Sequence, residues 1–266
     1  MKPFLLKEEV SQVNSIKMPH TAMVLAAGLG RRMQPLTTNK PKPLIKIGGV
    51  PIIDRTLFRL KEADIKRVVI NVHYMAHMME DHLNQKSETP EIIISDERHE
   101  LLETGGGITK ALPLIGADPF FSINSDAIWS NGENNTLEQL AIRHGHEDEI
   151  HLLAIKTEAA YGYFGEGYSG KGDFYLREDN SIEWRQGRDY APYMFGGISL
   201  MSPKLFEPFK PTPFSSIEVF KEAQLKGKLF GHVHEGRWYH AGCPKAVGDI
   251  ETLLVEFGDD YWEGGS

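Results

Sequence analysis

The sequence predicts an α/β fold, a Rossmann-like three-layer sandwich whose mixed sheet is mostly parallel. Three observations carry that expectation. Short apolar runs recur without polar alternation, as in strands buried on both faces. Segments with apolar residues at helical spacing lie between them, so strands and helices alternate as in βαβ units. The first apolar run also breaks into a glycine-rich turn, and open α/β sheets bind ligands at such strand ends.

The buried strands are expected at Ala22–Ala27, Arg67–Val72, Glu91–Ser95, Phe120–Asn124, Ile150–Ile155, Met194–Leu200 and Leu229–Val233. Pro51–Ala63 reads as a helix with Ile53, Leu57 and Leu60 on one face. Met75, Met78, Met79 and His82 form a second stripe, read as core packing rather than a ligand box. Ser215-Ser216-Ile217-Glu218 has the form of a capping box and opens a helix to about Lys226. Pro244 opens a last helix carrying Val247, Ile250, Leu254 and Phe257 on one face. Residues 161–192, rich in glycine, tyrosine and charge, depart from this pattern. They predict a mobile loop, then two antiparallel strands joined at Asp179-Asn180, forming an antiparallel flap over the ligand. No composition shift marks a domain break, so residues 1–20 are expected to be an N-terminal extension and 21–258 a single domain.

With 41% apolar and 25% charged residues among 266, the balance is that of an ordinary globular protein. A net charge of −8 and the lack of a basic stripe argue against a nucleic-acid partner. The single cysteine, Cys243, excludes an internal disulfide and a cysteine-based zinc site. No apolar run approaches the roughly 18 residues of a membrane span, and residues 1–20 lack a secretory apolar core. The expected location is the cytoplasm, with no membrane partner.

Three stretches carry chemistry. The run Met23–Ala27 leads into Gly28-Leu29-Gly30, where bare backbone N–H groups can face an anion, and Arg31, Arg32 and Lys42 add positive charge. No G-x-x-x-x-G-K-[ST] phosphate loop exists. A dinucleotide fingerprint would need glycine where Met33 stands, although Asp54 downstream keeps that reading open. Second, Gly105-Gly106-Gly107 is a poor helix interior, each glycine costing up to ~1 kcal/mol against alanine. It suits bare backbone beneath a flat ligand; a plain helix-start loop is the alternative. Third, the apolar strand Phe120–Asn124 runs into Asp126, a carboxylate at the sheet edge that needs a cation, a helix N-terminus or a hydrogen-bonded loop.

Leu25-Ala26-Ala27-Gly28-Leu29-Gly30-Arg31-Arg32-Met33-Gln34-Pro35-Leu36-Thr37 and Pro41-Lys42-Pro43-Leu44 resemble, position by position, the signature of the sugar-1-phosphate nucleotidyltransferases. The resemblance spans roughly residues 20–255. Leu102-Glu103-Thr104-Gly105-Gly106-Gly107-Ile108 and Gly170-Lys171-Gly172-Asp173-Phe174 look most like the branch that joins UTP to N-acetylmuramic acid 1-phosphate. The resemblance implies transfer of a nucleotidyl group from an NTP to a sugar 1-phosphate, giving an NDP-sugar and pyrophosphate. It implies Arg32, Lys42 and Asp126 as catalytic residues. Leu25, Ala26, Ala27, Gly28, Gly30, Arg32, Lys42, Asn71, Glu103, Thr104, Gly105 and Gly106 would then touch the nucleotide. Glu103, Asp173 and Gly197 would touch the sugar, and Asp126 would hold Mg²⁺, or alternatively Mn²⁺.

This sequence departs from the pattern in places. Ser125 stands for a glycine. In Trp238-Tyr239-His240-Ala241-Gly242-Cys243, His240 takes the position of a metal carboxylate. His240 could bind the metal, bind phosphate, or leave the cation to Asp126. The family's sugar-phosphate lysine has no counterpart, and Arg185 and Arg188 lie in the matching region. His73 could serve structure or ligand equally. His232 and His234 share a strand face with no third zinc ligand in view. The alternatives are guanylyl transfer to mannose 1-phosphate on the same fold, a nucleotide-sensing protein without turnover, and an NAD-dependent oxidoreductase.

Overall fold

The computed structural model describes residues 18–86, 90–161 and 170–259. Residues 1–17 of the expected N-terminal extension, and 162–169 of the expected mobile loop, lie outside the described residues. The elements are β1 (Thr21–Leu25), β2 (Lys46–Ile47), β3 (Val50–Pro51), α1 (Ile52–Glu62), β4 (Arg67–Val72), α2 (Ala76–Leu83) and β5 (Glu91–Asp96). Then follow α3 (Glu103–Ile115), β6 (Phe120–Asn124), β7 (Ala127–Trp129), α4 (Thr136–Arg143) and β8 (Ile150–Lys156). The chain ends with β9 (Phe174–Leu176), β10 (Ile182–Trp184), β11 (Tyr193–Met201), α5 (Ile217–Leu225), β12 (Leu229–Val233), β13 (Trp238–His240) and α6 (Pro244–Phe257).

The main sheet runs β10-β9-β11-β6-β1-β4-β5, with β8 pairing β11 and β12 pairing β8. Strands β5, β4, β1 and β6 are parallel, whereas β11 runs against its neighbours. Period-two alternation assigns each strand's side chains to opposite cores. Ala22, Val24, Val68 and Ile70 pack under α1, α2 and α4, while Met23 and Val69 pack under α3 and α5. Both faces are covered, so the strands are apolar throughout.

The chain leaves β1 toward β4 and β5 along one face, then crosses the opposite face through α3 to reach β6 on the other side of β1. The direction of winding therefore reverses at β1. Such a switch point opens a crevice at the carboxyl ends of the strands. Leu25, Asn71 and Asn124 stand in register at that edge.

A third cluster of Met33, Ile45, Ile47, Ile52, Ile128, Tyr239, Val247 and Ile250 lies outside the sheet. It joins the β2–β3 ribbon, the antiparallel β7–β13 ribbon and α6. The apolar face expected of α6 is buried at Val247 and Ile250, and Phe257 stays 45% exposed beneath Arg237. Helix α1 buries more than one face, because Arg59 donates to the Trp129 carbonyl and Arg55 pairs with Asp259. In the methionine stripe Met79 is core, whereas His82 pairs with Asp54 at 2.7 Å. The helix at Ser215–Lys226 forms as α5, but Ser216 does not cap it; the Ser216 hydroxyl accepts from Thr104 Oγ1 at 3.1 Å, tying α5 to α3. The expected flap is the β9–β10 hairpin, which extends the main sheet through a Phe174–Tyr193 pair. Among the described residues no helix is long and apolar enough to cross a membrane.

Candidate active site

After Leu25 the backbone turns through Ala26-Ala27-Gly28-Leu29-Gly30 into a short 3-10 turn, Arg31–Met33. Gly30 has φ +61°, and a Cβ there would stand 2.9 Å from Thr37 Cγ2. The Thr37 hydroxyl donates to the Gly30 carbonyl at 2.8 Å and closes the loop. Met33, at the third fingerprint position, is fully buried in the small core. Asp54 is held by His82 and Lys86 on α1 and lines neither of the cavities at this edge, which removes the acid that a dinucleotide site needs.

Lys42 opens a second 3-10 turn, Lys42–Leu44, and His240 ends β13. The small core holds Ile45, which follows the turn, and Tyr239 of β13, and the side chains of Lys42 and His240 both reach Asp126, just beyond β6. Lys42 Nζ lies 2.7 Å and His240 Nε2 3.1 Å from the same oxygen, Asp126 Oδ2. Burial alone would raise the Asp126 carboxyl, but the Lys42 ammonium and the His240 hydrogen bond hold it well below the ordinary carboxylate range.

His240 Nε2 lies within hydrogen-bond distance of this carboxylate, so in this arrangement His240 stands as a partner of Asp126. Among the described residues no group of three His, Cys, Asp or Glu side chains could hold a metal ion. Among the described residues, Asp126 is the carboxylate that lines both cavities. That carboxylate fits Mg²⁺, which commonly keeps waters and substrate phosphates beside one or two carboxylates.

Two cavities meet at this point. The smaller, about 470 Å³, is lined by Leu25, Ala26, Ala27, Gly28, Gly30, Arg32, Lys42, Asn71, Glu103, Thr104 and Asp126, among others. The larger, about 790 Å³, is lined by Arg32, Asp126, Asp173, Trp184, Arg185, Gly197, Lys221 and His240, among others. Arg32, Asn124 and Asp126 belong to both walls. Asp173 accepts the Phe195 N–H at 2.9 Å, and burial pushes its carboxyl up against the opposing pull of that bond and Arg185.

Several expected contacts lie elsewhere. Gly105 and Gly106 line neither cavity. They form the first turn of α3, where a Cβ would come 2.3 Å from the Phe214 ring and 2.1 Å from the Thr212 carbonyl oxygen. The glycines admit this loop against the helix rather than a ligand. Glu103 lines the smaller cavity and not the larger, which holds Asp173 and Gly197. His73 Nδ1 bonds the Glu97 carbonyl at 2.8 Å, a structural role. Arg185 lines the larger cavity, whereas Arg188 lies over the Tyr175 ring and pairs with Glu183. His232 bonds His151 and His234 approaches the Arg237 carbonyl, so the pair is not held as one site.

The sequence reading missed Asn124, Trp184 and Lys221 on the cavity walls, and Glu97 behind them. Asn124 had a readable signal as the last residue of the strand that leads to Asp126. The others depend on contacts far apart in sequence.

The family model described as nucleotidyl transferase matches residues 21–171. The chain is 37% identical over 243 residues to the N-acetylmuramate alpha-1-phosphate uridylyltransferase of Caulobacter vibrioides, covering 90% of this chain and 98% of the relative. It is 32% identical to the enzyme of that name from Neisseria meningitidis serogroup B, covering 87% and 97%. A solved inositol-1-phosphate CTP transferase from T. maritima shares the fold with a TM-score of 0.70 at 19% identity, over 90% of this chain and 98% of that one. The loop after β1, the cations around it and these similarities converge: the chain belongs to the nucleotidyl transferase family, as an enzyme of the sugar-1-phosphate nucleotidyltransferase class.

Proposed function

We propose that the chain transfers the uridylyl group of UTP to N-acetylmuramic acid 1-phosphate, in the cytoplasm, with release of pyrophosphate. The observation that carries the reading is the meeting of two cavities at Arg32, Asn124 and Asp126, with Lys42 at the seam. The smaller cavity has the bare backbone and cations that suit a triphosphate. The larger, with Asp173 and a mainly apolar wall, has room for a bulky sugar. The choice of base and sugar rests on the two relatives named for that reaction.

An oxygen of the sugar 1-phosphate attacks the α-phosphorus in line. The bond from that phosphorus to its bridging oxygen breaks, and pyrophosphate leaves with the electron pair. A phosphate monoester is already mostly deprotonated near neutral pH, its second pKa being about 6, so no general base is needed. Catalysis consists of positioning and charge neutralisation. Backbone N–H groups of Gly28–Gly30 and the Arg32 guanidinium receive the outer phosphates. Lys42 leaves Asp126 for the triphosphate and offsets charge growing on the α-phosphate. A divalent cation would supply further neutralisation, with Asp126 as the carboxylate that holds it.

The test measures pyrophosphate release for each NTP against N-acetylmuramic acid, N-acetylglucosamine, glucose and mannose 1-phosphates with Mg²⁺. Fastest turnover with UTP and N-acetylmuramic acid 1-phosphate is expected. A preference for GTP with mannose 1-phosphate would overturn the substrate assignment. Binding of UTP with no pyrophosphate from any pair would leave a nucleotide sensor instead.

A further inference from the structure

Glu97 is fully buried just beyond β5 and lines neither cavity, yet it is bonded to both sides of the smaller one. One oxygen, Oε1, accepts from Asn71 Nδ2 at 2.7 Å. The other, Oε2, accepts the Leu102 backbone N–H at 3.1 Å, at the start of α3. Asn71 in turn accepts the Ala26 N–H on its Oδ1 at 2.6 Å. The chain of bonds thus runs from the loop after β1, through Asn71 and Glu97, to the residue that precedes Glu103 and Thr104. Ala26, Asn71, Glu103 and Thr104 all line the smaller cavity. Gly107 makes room for this arrangement, since a Cβ there would lie 2.7 Å from Glu97 Oε1 and 2.9 Å from Asn71 Nδ2.

The direction of every bond in this chain is fixed. Both ends, Ala26 N–H and Leu102 N–H, are donors that cannot be reversed. An asparagine contributes one acceptor and one donor group, so a second partner that accepts at both ends is required. Only a carboxylate does so. We propose that Glu97 is the positioning residue of the nucleotide cavity: its carboxylate sets the orientation of the Asn71 amide and holds the β1 loop and the α3 start at a fixed separation for the incoming triphosphate. This rests on the reading that the smaller cavity receives the NTP.

A glutamine in place of Glu97 has the same shape and one acceptor fewer. Whichever way its amide and that of Asn71 are turned, two donors meet and one buried N–H is left without a partner. An aspartate in place of Asn71 alone would face Glu97 with a second carboxylate. The two changes together restore every bond, because the introduced glutamine accepts from Leu102 and donates to the introduced aspartate, which accepts from Ala26.

The experiment uses the full chain with Mg²⁺. UTP affinity is measured by calorimetry, KM for UTP and for the sugar 1-phosphate by pyrophosphate release, and folding by thermal unfolding. Glu97→Gln should raise the KM for UTP roughly tenfold or more, the scale set by one unsatisfied buried donor, and leave the KM for the sugar phosphate nearly unchanged. Asn71→Asp should also weaken UTP. The double variant should bind UTP at least about tenfold tighter than either single change, a coupling that independent sites do not give. An unchanged KM for UTP in Glu97→Gln, equal rises in both KM values, or a double variant no better than the singles would overturn the relay. If Glu97→Gln does not fold, the double variant decides alone, since its bonds are complete. Wild-type protein that holds no nucleotide at all would instead bring down the functional reading, and the relay's purpose with it.

Discussion

Asp126 Oδ2 receives Lys42 and His240 together, and the side chain of Asp126 keeps only 21% of its exposure. At this depth a lone carboxylate is costly, and the two partners keep it charged. Lys42 and Asp126 were legible from sequence because each ends a local pattern: a Pro-Lys-Pro turn and an apolar strand. His240 was legible only as a departure. Its contact with Asp126 depends on β13 pairing β7, across a large gap in the chain. Glu97 could not be read at all, since a buried carboxylate in a loop looks like any surface acid until its partners are known. If Lys42 offsets charge in the transition state, Lys42→Ala should lower kcat by about 10²–10³, as loss of other preorganised charge contacts does. Pyrophosphate release near the wild-type rate would rule that role out.

At the scale of elements, the strands follow from their apolar runs, and the helices from their spacing. The glycine triplet was misread for a physical reason. Phe214 and Thr212, which pack on Gly105 and Gly106, are about a hundred residues away in the chain, so local sequence could not reveal that a loop, and not a ligand, rests on those two glycines. Two effects oppose each other in Gly106→Ala. Alanine in a helix gains up to ~1 kcal/mol. The new methyl, however, would meet a backbone carbonyl oxygen at 2.1 Å, and overpacking of that kind costs typically ~1–3 kcal/mol. The clash is with main chain that cannot rotate away, so it wins. Thermal unfolding of Gly106→Ala should shift to lower temperature, whereas an unchanged midpoint with a raised KM for UTP would return this glycine to the ligand wall. The β7–β13 and β2–β3 ribbons were not anticipated as strands, being only two or three residues long.

Across the whole molecule, the sheet's reversal at β1 brings the glycine-rich loop and an acidic strand end to one edge. The alternation of elements made this legible. The far edge carries a different charge arrangement, where His151 on β8 bonds His232 on β12 at 2.7 Å, beside His144, Glu149 and Arg143. Burial, and then neighbouring positive charge, pushes His151 down to about 4 and His232 to about 3; burial pushes His144 down too. Each of these histidines takes up a proton more readily when unfolded, near the ordinary pKa of 6.5, than when folded. The unfolded chain therefore binds more protons in that window, and stability falls as pH drops from about 6.5 toward 4. The Glu149 carboxyl, held low by its hydrogen bonds despite burial, loses stability in the same direction on further acidification. Urea unfolding midpoints should decline across that range, and a flat profile would contradict the buried neutral pair. The account as a whole turns on where the triphosphate lies. A crystal structure with Mg²⁺ and a non-hydrolysable UTP analogue should place the α-phosphate at the seam of the two cavities, with Lys42 moved from Asp126 onto phosphate oxygen. A nucleotide bound elsewhere, or one bound here with the 2.7 Å Lys42–Asp126 contact intact, would contradict it.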